Sequence, residues 1–176
     1  MTHIHHLIDG TEAQGTSGRT SPVFDPATGA QTGELSLASV EEIDAAVASA
    51  KAAFQSWQST SVAARTKLMY NFRNLVVDNA DEIAARLTAE HGKVLADAGG
   101  EVARAIENSE FACGLADHLK GSLNEKASSG VDVYSVRRPL GVVAGITPFN
   151  FPAMVPMWMV PNAVVCGNTF ILKPSE

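Results

Sequence analysis

Apolar residues fall into three regimes along the chain. From His3 to Gly33 they are scattered among Gly, Thr, Ser and Pro, a spacing that sustains no helix and predicts short strands joined by turns. Within this stretch Phe24-Asp25-Pro26-Ala27-Thr28-Gly29 reads as a tight turn, because Pro presets φ and Gly closes it. At Ser39 the period changes. Ser39-Val40-Glu41-Glu42 has the spacing of a capping box, and Ile43, Val47, Ala50 and Phe54 then recur at helical intervals, which predicts an amphipathic helix. Val62, Leu68, Met69, Phe72, Leu75 and Val76 form a second helical stripe, and Asn79-Ala80-Asp81-Glu82 opens a third helix that stops near Gly92. A fourth helix is expected to follow a break at Gly99-Gly100 and to end before Gly121. Val102, Ile106, Ser109, Cys113 and Ala116 lie on its apolar side, and Glu101, Arg104 and Asn108 project from another.

The last third changes character again. Gly121 to Gly130 is small and polar, whereas Val131 to Arg138 (VDVYSVRR) is β-branched and aromatic without one clean apolar face, as in an exposed or interface strand. After Pro139, Val142 to Ile146 (VVAGI) is a continuous apolar run, expected of a strand covered on both faces. Thr147-Pro148-Phe149-Asn150-Phe151-Pro152 is then a loop stiffened by two prolines, followed by apolar sequence that reads as two abutting helical pieces around Pro156 and Pro161. Gly167 supplies a cap, and Thr169 to Leu172 is a second short buried strand. Residues 142–172 thus predict one βαβ unit with a right-handed crossover. Two such strands leave edges uncovered, so the sheet is expected to be incomplete, with Phe170 and Ile171 on an edge prone to aggregation.

Composition narrows the function classes. A chain of 176 residues, 45% hydrophobic and 18% charged, is globular in type and holds one ordinary core. With 13 Lys and Arg against 19 Asp and Glu the net charge is -6, which gives no basic field for nucleic acid. The apolar stretch Phe151 to Cys166 is too short and too broken by Pro152, Pro156, Pro161 and Asn162 to span a membrane. Cys113 and Cys166 form neither a disulfide framework nor a metal pattern, and Met1 to Gly10 carries no export signal, so the expected location is cytoplasmic. His3, His5 and His6 sit in a terminal segment where exposed imidazoles are the simpler reading, and no metal site is expected. His91 reads as a helix C-terminal cation.

Ligands of open α/β sheets bind beyond the carboxyl ends of the strands, which directs attention to the loop after Ile146 and the tail after Leu172. Asn150 could aim an amide at a developing oxyanion, or could serve only to satisfy turn backbone groups. Lys173 and Glu176 could hold a ribose diol, or form a solvated strand end. No GxGxxG is present; Gly141 and Gly145 stand four apart at the strand.

Taken together, Pro148-Phe149-Asn150-Phe151-Pro152 and Cys166-Gly167-Asn168-Thr169-Phe170-Ile171-Leu172-Lys173-Pro174-Ser175-Glu176 resemble the aldehyde dehydrogenase superfamily. Phe24 to Gly29 looks like that family's N-terminal turn, and Arg138-Pro139-Leu140-Gly141-Val142-Val143 like its lead into the nucleotide domain. The wording is closest to the CoA-acylating methylmalonate-semialdehyde dehydrogenases, in Glu90-His91-Gly92-Lys93, in Arg104-Ala105-Ile106-Glu107-Asn108 with Glu110-Phe111-Ala112, in Phe149 and in Met154 to Pro161.

The resemblance implies an α/β fold: the N-terminal part of an aldehyde dehydrogenase, with helices and the first βαβ unit of a Rossmann-like nucleotide-binding domain. Residues 1–120 would be the N-terminal segment of the NAD-binding domain, 121–139 an oligomerisation strand region and 140–176 the βαβ unit, the catalytic domain being absent. It implies that Asn150 is the side-chain half of the oxyanion hole, that Lys173 and Glu176 hold the adenosine ribose of NAD against NADP, and that Ile146, Thr147, Pro148 and Phe149 line the cofactor path. Arg104 matches a substrate-carboxylate position, although as a helix residue it could equally pair with Glu107 or Glu101. The implied reaction, a step of valine catabolism, takes a small semialdehyde with NAD and coenzyme A to propionyl-CoA or acetyl-CoA, in a homo-oligomer.

The family's catalytic cysteine and general-base glutamate lie downstream of the Lys-Pro-Ser-Glu motif, so the isolated 176 residues are expected to be inactive. Cys113 and Cys166 read as buried small hydrophobes rather than substitutes. Two other readings stay open at this level: a non-catalytic interaction module or remnant, and an aldehyde dehydrogenase subfamily that hydrolyses its thioester.

Overall fold

The computed structural model describes residues 2–175. Its first segment holds β1 (Thr2–Ile4), β2 (His6–Ile8), β3 (Thr11–Ala13), β4 (Thr20–Phe24) and β5 (Gln31–Ser36). β5 is the middle strand of a sheet ordered β1-β5-β4, parallel to β1 and antiparallel to β4, while β2 and β3 form a separate hairpin. Pro22 is tolerated because β4 is an edge strand. The predicted turn forms: the Asp25 carboxylate accepts from the Ala27 N–H at 2.8 Å and the Asp25 carbonyl from the Gly29 N–H at 2.8 Å.

Helix α1 (Val40–Trp57) begins with the capping box its sequence specifies. The Ser39 hydroxyl accepts from Glu42 N–H at 3.2 Å, and the Glu42 carboxylate accepts from Ser39 N–H at 2.7 Å. Helix α2 (Val62–Asp78) follows, and α3 (Ala80–His91) ends at Gly92 in the left-handed conformation, φ 81°. Helix α4 (Leu95–Cys113) departs from expectation, since it starts before Gly99-Gly100 and runs through them. Each helical glycine costs about 1 kcal/mol relative to Ala. The face formed by Ala98, Glu101, Val102 and Ala105 is fully buried and packs among α2, α3 and α5, and that burial outweighs the glycine cost. Glu101, read above as projecting, is 3% exposed.

A second difference lies in the polar stretch after α4. It contains β6 (Leu123–Ser128), paired antiparallel with β7 (Val131–Tyr134) across a register shift. Every residue of this hairpin is exposed. A strand with neither face buried has no alternation to betray it.

The βαβ unit consists of β8 (Val142–Ile146), α5 (Met154–Val165) and β9 (Thr169–Lys173). The strands are parallel, in register from Val142 opposite Thr169 to Ile146 opposite Lys173. Helix α5 is continuous rather than two pieces: Pro156 occupies its first turn, where the missing N–H is harmless, and Pro161 is accommodated inside it, buried. Both α1 and α5 pack on the strand pair. Gly145 permits this approach, because a Cβ there would come within 2.9 Å of the Met159 sulfur and 2.7 Å of the Phe170 ring. Coverage is less complete than the apolar run implied: Ile146 is 78% exposed, and Leu172, not Phe170 or Ile171, is the exposed apolar residue of β9.

The core forms two clusters along α4, one near each end of its buried face. Met69, Ala112, Cys113, Leu115 and Val165 make one, and Ala84, Leu87, Ala98 and Val102 the other.

Candidate active site at the carboxyl ends of the parallel strands

Strands β8 and β9 end side by side, joined by a hydrogen bond from Thr147 N–H to the Lys173 carbonyl at 3.2 Å. This bond brings the sequence-predicted residues Ile146, Thr147, Pro148, Phe149 and Asn150 to the same end of the sheet as Lys173. Thr147 is buried, whereas Ile146, Pro148, Asn150 and Lys173 are exposed. Glu176 lies outside the described residues. Ile146 opposite Lys173 sets an exposed apolar surface, of the kind a base packs on, beside a side-chain donor of the kind a ribose hydroxyl accepts from, at the carboxyl edge of parallel β-structure.

The loop from Thr147 to Ala153 is tied down by residues that sequence reasoning had given other roles or none. Gly92 turns the chain between His91 and Lys93, and both of these reach the loop. The His91 ring lies 5.1 Å from that of Phe149. The Lys93 ammonium donates to the Asn150 carbonyl at 3.2 Å and sits 4.8 Å from the centre of the Phe151 ring. It also pairs with the Glu101 carboxylate at 2.5 Å. The other oxygen of that carboxylate accepts from the N–H groups of Ala153 and Met154 at 2.8 and 3.0 Å, capping α5. Asn150 is thus held by its backbone, and among the described residues its side-chain amide makes no hydrogen bond.

Burial pushes the Glu101 carboxyl up, but the Lys93 hydrogen bond, the two amides and the Lys93 charge more than offset it and hold the group below its ordinary 4.5. At neutral pH the cap is a carboxylate. The opposite end of α5 has a matching cation. Arg65, buried, donates through Nε to the Val165 carbonyl at 2.9 Å, and Trp57 Nε1 donates to the Val164 carbonyl at 3.0 Å. Anion at one end and cation at the other both oppose the helix dipole.

Arg104 stands on α4 one helical turn beyond Glu101, exposed and outside the loop's hydrogen-bond network. Glu101 is taken by Lys93, and among the described residues Arg104 forms no ion pair with Glu107 either. Cys113 is buried and Cys166 partly so, and burial raises both thiols above their ordinary value. Neither has the low pKa of a nucleophilic thiolate. No group of three or more potential metal ligands occurs among the described residues, and no helix there is long and apolar enough to cross a membrane.

The signals for Glu101 and Lys93 were present but unreadable one by one. Lys93 follows a helix-ending glycine, an ordinary place for a surface cation. Glu101 follows Gly99-Gly100, which suggested the helix started there and left Glu101 in a solvated first turn.

Known proteins resemble this chain over its whole length. The aldehyde dehydrogenase family profile matches residues 13–176. The malonate-semialdehyde dehydrogenase of Pseudomonas aeruginosa is 47% identical over 176 residues, all of this chain and 35% of that protein. The acylating, mitochondrial methylmalonate-semialdehyde dehydrogenase of Arabidopsis thaliana is 46% identical over 173 residues, 98% of this chain and 28% of that protein. Among solved structures, a protein from Sinorhizobium meliloti assigned as a methylmalonate-semialdehyde dehydrogenase, complexed with NAD, superimposes with a TM-score of 0.97. It is 48% identical, with 100% of this chain and 36% of that one covered. The chain therefore spans about a third of the length of the relatives it matches.

Proposed function

The chain belongs to the aldehyde dehydrogenase family, and from that premise we propose that it supplies the oxyanion-stabilising and nucleotide-side part of an NAD-dependent, CoA-acylating (methyl)malonate-semialdehyde dehydrogenase. The observation that carries the reading is Asn150: its backbone is anchored, its amide is uncommitted, and it stands where parallel strands present their ligands.

In this reading the Asn150 amide donates to the oxygen that becomes negative when a thiolate adds to the aldehyde carbon, and the donor is preorganised because its backbone is already fixed. The thiolate and the general base would come from outside these residues, since Cys113 and Cys166 are both unsuited to the first role. Ile146, Thr147, Pro148 and Phe149 would form one wall of the NAD site, with Lys173 and Glu176 at the ribose. NAD, when bound, supplies the hydride acceptor. Arg104, cationic and without an ion pair among the described residues, would take the substrate carboxylate, for which a guanidinium fork is well shaped. The fully exposed hairpin β6–β7, with Leu123, Val131, Val133 and Tyr134 in it, is the surface we assign to assembly with further copies. A cytoplasmic location completes the proposal.

The test is to purify the protein that bears this sequence and supply malonate semialdehyde, NAD and coenzyme A. Acetyl-CoA, carbon dioxide and NADH in equal amounts are expected. NADH formation that neither requires coenzyme A nor yields a thioester would replace the acylating reading with a hydrolytic one.

A further inference from the structure

The loop that carries Asn150 is fastened at three points, and the fastenings come from the end of α3, the turn after it and the first turns of α4. His91 packs on Phe149, Lys93 holds the Asn150 carbonyl and the Phe151 ring, and Glu101 holds Lys93 and the first amides of α5. We propose that Lys93 and Glu101 are positioning residues that act through Asn150, setting the orientation in which its amide meets the substrate oxygen; this rests on the oxyanion reading above.

The geometry asks more of these two residues than helix capping does. Glu101 alone would satisfy the amides of Ala153 and Met154. Lys93 is not needed for that, yet it is drawn into a nearly buried site where a long, flexible cation gives up much rotamer freedom. A buried ion pair is in general poor evidence of net stability, because desolvation offsets attraction. What this pair provides is a fixed point: the Lys93 ammonium has the carboxylate on one side and the Asn150 carbonyl and Phe151 ring on the other. Since Glu101 is rigidly held by α5, the carbonyl of Asn150, and with it the start of its side chain, is referred to the helix rather than left to the loop. Phe149 and Phe151 anchor the residues on each side. A shift of about 1 Å in a reacting group can cost about 100-fold in rate, so the fixed point matters more for turnover than for folding.

Lys93→Met keeps the stem and removes the ammonium, and Glu101→Gln keeps an oxygen for the two amides while removing the charge. Both are made in the complete protein, with Asn150→Ala as reference and each double variant beside it. The expected result is a fall in kcat of about 10-fold to 100-fold for either variant, with KM for NAD within about twofold and faster amide hydrogen exchange confined to residues 149–154. In the Asn150→Ala background Lys93→Met should cost nothing further, because both act on one donor. An unchanged kcat, or a loss equally large in the Asn150→Ala background, would overturn the positioning role and leave a purely structural ion pair. Full turnover in Asn150→Ala itself would instead overturn the oxyanion reading on which the role rests.

Discussion

Glu101 shows how a single side chain can be misread when its neighbours are. Two glycines before it suggest the end of one element and the start of another; packing makes it the best-buried acid of the described residues and the cap of a different helix. Its ionisation is linked to stability with a definite sign. The folded carboxyl titrates below its ordinary 4.5, so its contribution is present above that value and disappears as pH falls through the lower, folded one. Thermal melts of wild type and Glu101→Gln should therefore differ most at neutral pH and converge as the pH is lowered below 4.5. A gap that widened on acidification would mean the carboxyl is not held ionised by Lys93 and the α5 amides. At this scale the sequence made the functional candidates legible, Asn150, Lys173 and Arg104 among them, because they sit in short motifs. The residues that anchor the loop of Asn150 come from distant segments, and no local spacing reports a contact between positions 93 and 150.

Elements announced by a cap, a helical stripe or a β-branched run were legible, the exposed strand β7 (Val131–Tyr134) among them. Ser39 with Glu42 foretold α1, and Gly92 foretold the end of α3, because caps are local chemistry. Strand β6, in a stretch read only as small and polar, escaped notice, as did the continuity of α5 through Pro161, which depends on partners such as Arg65 and Trp57 that lie far away in sequence. Helix α4 offers a direct check. At Gly99 and Gly100 an added Cβ would meet nothing within 4 Å, and neither has positive φ. Gly99→Ala and Gly100→Ala should each raise stability by about 0.5 to 1 kcal/mol, read from the shift in a denaturant midpoint. Destabilisation by either would show that α4 does not run through this pair.

At the scale of the whole molecule, the order strands, helices, exposed hairpin and βαβ unit follows the regimes of the sequence, and the two-stranded parallel sheet has the open edges its strand count required. Exposed apolar side chains gather in its last third, from Leu123 and Tyr134 in the hairpin to Leu140 and Ile146 at β8. The relatives are nearly three times as long, and this stretch of chain builds one candidate site centred on a loop. Its central element is one amide on one anchored loop. The most direct measurement compares wild type with Asn150→Ala in the complete protein, at saturating NAD and coenzyme A, for thioester formation from malonate semialdehyde. Loss of an oxyanion donor predicts a kcat lower by about 100-fold to 1,000-fold with NAD affinity retained. A variant that turns over like wild type would contradict the account, because Asn150 would then be a turn residue and the loop's anchorage would serve the fold alone.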